Sequence, residues 1–418
     1  MAKLNDYRLK LGNDEYSPIM LGGMGMDIST TEMVLAAVKL GGIAHLSDAL
    51  ATFVSDKRFG TSFTKDRLHR FKDSVDNQDK SHEIFTEGEI RGSVMNVIKD
   101  AMDRKEGTGG IFVNCMEKLH MNNAKATLKI RLDAILDSGI DGITLSAGLH
   151  LGSLALIKDN PRFREAKIGI IVSSVRALKL FLIRAKKLDR LPDFIVVEGP
   201  LAGGHLGFKV DDWMNYDLKT ITLEVMAFLK EGGNDIPVIP AGGIFTGRDA
   251  VDFMEMGAAA VQVATRFIIT EEAGFRDTTK QVFFNAKEED IEVNHLSPTG
   301  YPMRMLKGGP CTSTGIKPNC EYLGYILDNG SCSYLRAYHE QLATHTGPEK
   351  FKVEGVTCLC TYMKTYGTWT CGHLTYRLKD TTNILPDGSF QVLTVADVFN
   401  DYLNSETHEH IKPPLPKV

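Results

Sequence analysis

His205 lies in the string EGPLAGGHLGF, residues 198–208, with Gly203 and Gly204 before it and Gly207 after it. An imidazole can act as acid, base or hydrogen-bond donor near neutral pH. Glycines let a backbone approach a ligand closely. A lone histidine is more often a satisfied core residue, but a glycine-rich loop directly after an apolar run favours chemistry. Three further groups share that setting. Gly22-Gly23-Met24-Gly25-Met26 follows the apolar run PIML. By itself it reads equally well as a tight turn. Asn114 closes the run IFVNC; its amide can donate to and accept from a heterocycle edge, or simply form a turn. Ala241-Gly242-Gly243-Ile244 and Gln262-Val263-Ala264-Thr265-Arg266 make a pair. Their glycine amides and the Thr265 hydroxyl suit an anionic group beside a helix N-terminus. His120, His150 and His205 have no local metal-ligand spacing, so no metal is expected at the site.

The elements that must carry these loops alternate. Apolar runs at 43–46, 111–115, 142–146, 168–173, 194–198, 237–240 and 260–264 read as strands, after a first near 17–25. Helical patterns fall at 93–104, 124–136, 151–158, 175–188, 222–231, 247–256 and 278–286. An earlier helix ends at Gly41-Gly42, with Ser29 as its N-cap and Glu32 three residues on. Runs such as IGIIV and FIVV lack alternation, as strands buried on both faces do. Eight such units predict an α/β chain folded as a (β/α)8 TIM barrel, with an open doubly wound sheet as the rival. In a barrel the loops after the strands carry function, and those after strands seven and eight commonly hold phosphate. The glycine pair therefore points to a phosphate-bearing cofactor. The stretch 47–91 is polar and without clear period, and is expected to be an insertion after the second strand.

The division expected is a barrel over 1–290 and a Cys-rich cap or extension over 291–418. The extension has one clear helix at 395–404 and an extended tail, KPPLPKV, at 412–418. The length of 418 residues fits a barrel of about 250 residues with a sizeable addition. The net charge of −5 lacks the basic footprint of a nucleic-acid binder. No signal-peptide core or membrane-length apolar run stands out. A cytoplasmic protein is therefore expected, with a small-molecule substrate and no nucleic-acid or membrane partner.

EGPLAGGHLGF, IPVIPAGGI, GAAAVQVATRF and SPTGYPMR, with PIMLGGMGM, GGIFVN, DGITLSAGL and IVSS, resemble the nitronate monooxygenase (2-nitropropane dioxygenase) family. The likeness runs from about Ser17 to Arg304, in the family's order. It implies an FMN-dependent barrel that oxidises alkyl nitronates with dioxygen. The same family includes flavin-type enoyl-acyl-carrier-protein reductases and quinone reductases. The alternative is therefore an NAD(P)H-dependent reductase of an enoyl thioester or quinone, with acyl carrier protein a partner only in that case. A homodimer is compatible with either. Carried over by position, Gly23, Met24 and Asn114 would line the flavin ring. Gly203 and Gly204 would let the flavin chain pass. Gly242, Gly243, Gln262 and Thr265 would hold its phosphate, and His205 would face the reactive side and be catalytic.

One departure from the family's pattern and one feature of its longer members bear on the site. His150 stands where a proline is common, which adds an imidazole near the mouth. Six of the seven cysteines (Cys311, Cys320, Cys332, Cys358, Cys360 and Cys371) fall after residue 310. Thiolates there could hold zinc or an iron–sulfur cluster. The Cys358-x-Cys360 spacing suits buried free thiols at least as well.

Overall fold

The computed structural model describes residues 2–312, 315–346 and 352–404; the KPPLPKV tail lies outside them. Eight parallel strands close into a barrel: β1 (Ile19–Leu21), β2 (Ile43–Ser47), β3 (Gly110–Met116), β4 (Gly142–Ser146), β5 (Lys167–Val172), β6 (Phe194–Glu198), β7 (Val238–Ala241) and β8 (Val261–Val263). They pair in sequence order, and β8 returns to β1 with Val261 opposite Ile19. β4 is buried at every residue, which explains its unalternating sequence. Inside the barrel Phe112 and Phe194 fill the lower layers with Met20, Ile43 and Ile239. A Cβ on Gly169 would come within 2.2 Å of the Phe194 ring, so only glycine fits there. The hairpin of Leu9–Leu11 with Asp14–Tyr16 adds Leu9, Leu11 and Tyr16 to the same cluster.

The first barrel helix, Thr31–Lys39, is capped by Thr30, whose hydroxyl accepts from the Met33 N–H at 2.9 Å. Ser29, expected in that role, instead accepts from the Met24 N–H at 2.8 Å and so braces the first glycine turn. The second barrel helix runs Glu87–Asp103, six residues earlier than its apolar pattern suggested. A reciprocal Thr86–Glu89 capping box starts it. The stretch before it is not irregular: Ala51–Phe59 and Phe63–Phe71 are helices. They hid from a periodicity reading because they bury polar side chains. Arg67, fully buried, donates to the carbonyls of Glu83 and Cys320. Lys80 pairs with Glu321, and the Thr52 and Tyr325 hydroxyls bond each other. These contacts fasten the insertion to the C-terminal extension.

The extension packs onto the loops and the outer wall of the barrel. Ile291–Asn294 and Met303–Leu306 pair antiparallel, and the second also pairs with Gly204–His205. Helix Asp277–Asn285 packs against the nine-residue 3-10 helix His373–Thr381. The place between the first barrel helix and the seventh, Gly247–Glu255, is taken by Val395–Asn404. Phe399 is fully buried there, its ring against Gly42. The Asp401 carboxylate lies 2.6 Å from the buried Arg266 guanidinium as an ion pair.

Candidate active site

The loops after β1, β3, β6, β7 and β8 surround one cavity of about 500 Å³ at the C-terminal end of the barrel. Gly23, Met24, Asn114, Gly203, Gly204, His205, Gly242, Gly243, Gln262 and Thr265 all line it. Sequence positions spread over more than 240 residues meet there because parallel strands all end on one side.

Each part of the wall has a local cause. Gly23 lies so close to Asn114 and His45 that a Cβ would meet theirs at 2.8 and 2.9 Å. The Asn114 amide reaches the Gly23 carbonyl at 3.4 Å. Gly242 and Gly243 have φ of +94° and +85°, which glycine tolerates and other residues resist. Leu201 and Ala202 pack directly against them. The following helix does not offer all its first amides, because the Thr246 hydroxyl accepts from the Asp249 N–H at 3.1 Å, while the Asp249 carboxylate accepts from the Phe245 and Thr246 N–H groups just before the helix.

The His205 loop is gripped from outside the barrel. Met303 pairs with His205 and Arg304 with Gly204. The buried Arg304 guanidinium donates to the carbonyls of Pro200 and Ala202 at 2.5 and 2.7 Å and lies 4.4 Å over the Trp213 ring. His205 Nε2 is 2.7 Å from the Ser297 hydroxyl, which is 2.8 Å from that of Thr299. Burial holds the imidazole down at about 4, so it is neutral near pH 7. Glu198 also lines the cavity, at the end of β6. Burial, with no opposite charge beside it, pushes its carboxyl up to about 8, so it is protonated near pH 7.

Sequence reasoning passed over Glu198, Ser297 and Arg304, although all three stand in the quoted strings EGPLAGGHLGF and SPTGYPMR. An acidic residue ending an otherwise apolar strand was a readable signal; the grip of Arg304 was not. His150 does not reach the cavity lining. It is buried, between the Ser153 hydroxyl at 2.8 Å and the Ser146 carbonyl at 2.7 Å. Among the described residues no three His, Cys, Asp or Glu side chains form a set suited to a metal ion.

The sequence model of the family described as "Nitronate monooxygenase" matches residues 12–325, three quarters of the chain. The chain belongs to the nitronate monooxygenase family. A nitronate monooxygenase of Pseudomonas aeruginosa is 31% identical over 182 residues, 42% of this chain and 49% of that protein. A probable nitronate monooxygenase of Staphylococcus saprophyticus is 25% identical over 183 residues, 44% and 48% respectively. The chain thus spans about half the length of the curated relatives it matches. Among solved structures, the enoyl reductase domain of MlnA from Bacillus amyloliquefaciens superposes with a TM-score of 0.58 at 14% identity, covering 92% of this chain and 93% of that one. FabK from Thermotoga maritima gives 0.52 at 16%, covering 92% and 91%. These two likenesses concern the fold.

Proposed function

We propose that the chain is an FMN-dependent oxidoreductase that oxidises an alkyl nitronate with dioxygen, His205 being the catalytic side chain. The observation that supports this most is the meeting of a neutral, hydroxyl-braced imidazole with the Gly242–Gly243 turn and Thr265 on one cavity. The residues present fit the cofactor. Gly242 and Gly243, in backbone conformations that side chains resist, and the Thr265 hydroxyl would hold a phosphate. Gln262 would join them at the phosphate, and Gly203 and Gly204 would let the flavin chain pass. Gly23, Met24 and Asn114 would border the ring. A bound flavin supplies the redox chemistry, while the protein supplies position and electrostatics.

The chain's own groups then do three things. His205, uncharged near neutral pH, is free to accept a proton or share a hydrogen bond with the substrate's polar group. Ser297 fixes the orientation of its ring through Nε2. Glu198, protonated, gives the cavity a hydrogen-bond donor without a charge.

Anaerobic mixing of the flavin-loaded protein with propyl-2-nitronate, NADH or NADPH tests the reading. Bleaching by the nitronate without a nicotinamide is expected. Bleaching by a nicotinamide alone would replace it with a reductase of enoyl thioesters or quinones. His205→Ala should keep its flavin and lose turnover; retained turnover would remove His205 from the mechanism.

A further inference from the structure

We propose that the cavity takes a substrate bearing an unbranched apolar chain, and that Ile326 and Leu359 set the length of chain accepted. The proposal rests on the reading above only for what happens at His205. Two independent observations carry it.

The first is the chemistry of the wall. Five methionines, Met24, Met26, Met116, Met303 and Met363, line the cavity. They come from the β1 loop, the end of β3 and two parts of the extension. Thioether side chains are flexible and adapt to an apolar chain without fixing its shape. No lysine or arginine lines the cavity, and its four ionisable groups, Glu198, His205, Tyr301 and Cys371, are all uncharged near pH 7, the last two pushed up by burial. Away from the Gly242–Gly243 turn, whose glycine backbone and neighbouring Thr265 hydroxyl would take the flavin phosphate, a carboxylate or phosphate would find no cation to offset its desolvation. The ligand's distal part must therefore be uncharged.

The second is what lies behind the wall. Ile326 and Leu359 line the main cavity and also a second one of about 20 Å³. That space accommodates about one water or methylene. It is bordered by the free thiols of Cys320, Cys332, Cys358 and Cys360, whose burial pushes each of them up, so they stay protonated. An apolar chamber thus continues the line of the cavity beyond two aliphatic side chains. Shortening either side chain would join the two spaces and admit a longer chain.

The test is calorimetric titration of the flavin-loaded protein with straight-chain 1-alkanols from butanol to dodecanol, a readout that needs no turnover. Affinity should rise about fourfold per added carbon and then level or fall at a definite length. Leu359→Ala and, separately, Ile326→Ala should move that length up by about two to four carbons; Leu359→Phe should move it down. Flavin content and Tm establish that each variant is folded, and Ile326→Val gives a milder shift if the alanine variant is not. Affinity that ignores chain length, or a limit unmoved in folded variants, would overturn the proposal. If nitronate fails to bleach the flavin but the length limit moves, the oxidase reading falls and this one stands.

Discussion

Replacing Glu198 by glutamine should make the protein more stable at high pH than at low pH relative to the unaltered chain. The carboxyl is held at about 8 in the folded state against an ordinary 4.5. A group raised on folding contributes stability in full below its unfolded value and loses it as pH rises through its folded value. Between pH 4.5 and about 8 the unfolded chain has released this proton and the folded chain has not. Folding stability therefore falls with pH at about 1.36 kcal/mol per pH unit. The gap from 4.5 to about 8 caps the effect near 5 kcal/mol. The side chain is only partly shielded, facing the cavity. Water there lowers the expected figure to about 2–3 kcal/mol. Glutamine keeps the shape and a hydrogen-bond donor but has no proton to release. Denaturant unfolding of the flavin-free proteins at pH 5, 6, 7, 8 and 9 measures the difference directly. The gap between Glu198→Gln and the unaltered chain should widen from pH 5 to 8 and stay constant above. Curves that run parallel across that range would refute the reasoning, because they would mean that Glu198 ionises normally in the fold.

Ser297→Ala removes the hydroxyl on His205 Nε2. Turnover should fall about tenfold or more with flavin content unchanged, read from steady-state kinetics and the visible spectrum. Gly243→Ala places a Cβ 2.9 Å from Leu201 at a φ of +85°; the variant should release flavin on dialysis that the unaltered chain retains. Phe399→Ala empties a fully buried site against Gly42 and should cost about 3–5 kcal/mol, seen as a lower Tm. His45 and His205, both held down at about 4 by burial, contribute stability that is present above pH 6.5 and lost as pH falls through about 4. Acid unfolding of His45→Asn should therefore need a lower pH, unless loss of its bonds to the Leu21 carbonyl and Thr144 outweighs the titration, which unfolding at pH 7 would reveal.

The barrel was legible because its strands are buried on both faces. IGIIV at 168–172 and FIVV at 194–197 have no polar alternation to disguise them. The wall of the site was legible for a related reason, since loops after parallel strands share one side. Three things resisted. Ser29 and Thr30 are adjacent hydroxyls, and only the backbone path decides which caps the helix and which braces Met24. The helices at 51–59 and 63–71 bury Ser55, Thr64 and Arg67, so no apolar stripe marks them. The bond of Ser297 to His205 and the grip of Arg304 on Pro200 and Ala202 join positions about a hundred residues apart, with no local pattern to announce them.

The return of Val395–Asn404 to the barrel wall bears on how the molecule is made. A ribosome releases β1 through β8 well before residue 395. Throughout that interval the faces of the first and seventh helices that Phe399 and its neighbours will cover stand open to water. Closure therefore depends on a contact between residues more than 350 positions apart in sequence, from Gly42 to Phe399, the kind of long loop that slows folding. Until then the nascent chain carries an uncovered apolar seam, the kind of surface through which incomplete chains associate. A lesion near residue 400 would act there, by lowering the yield of finished protein, though it lies far from His205 in the sequence.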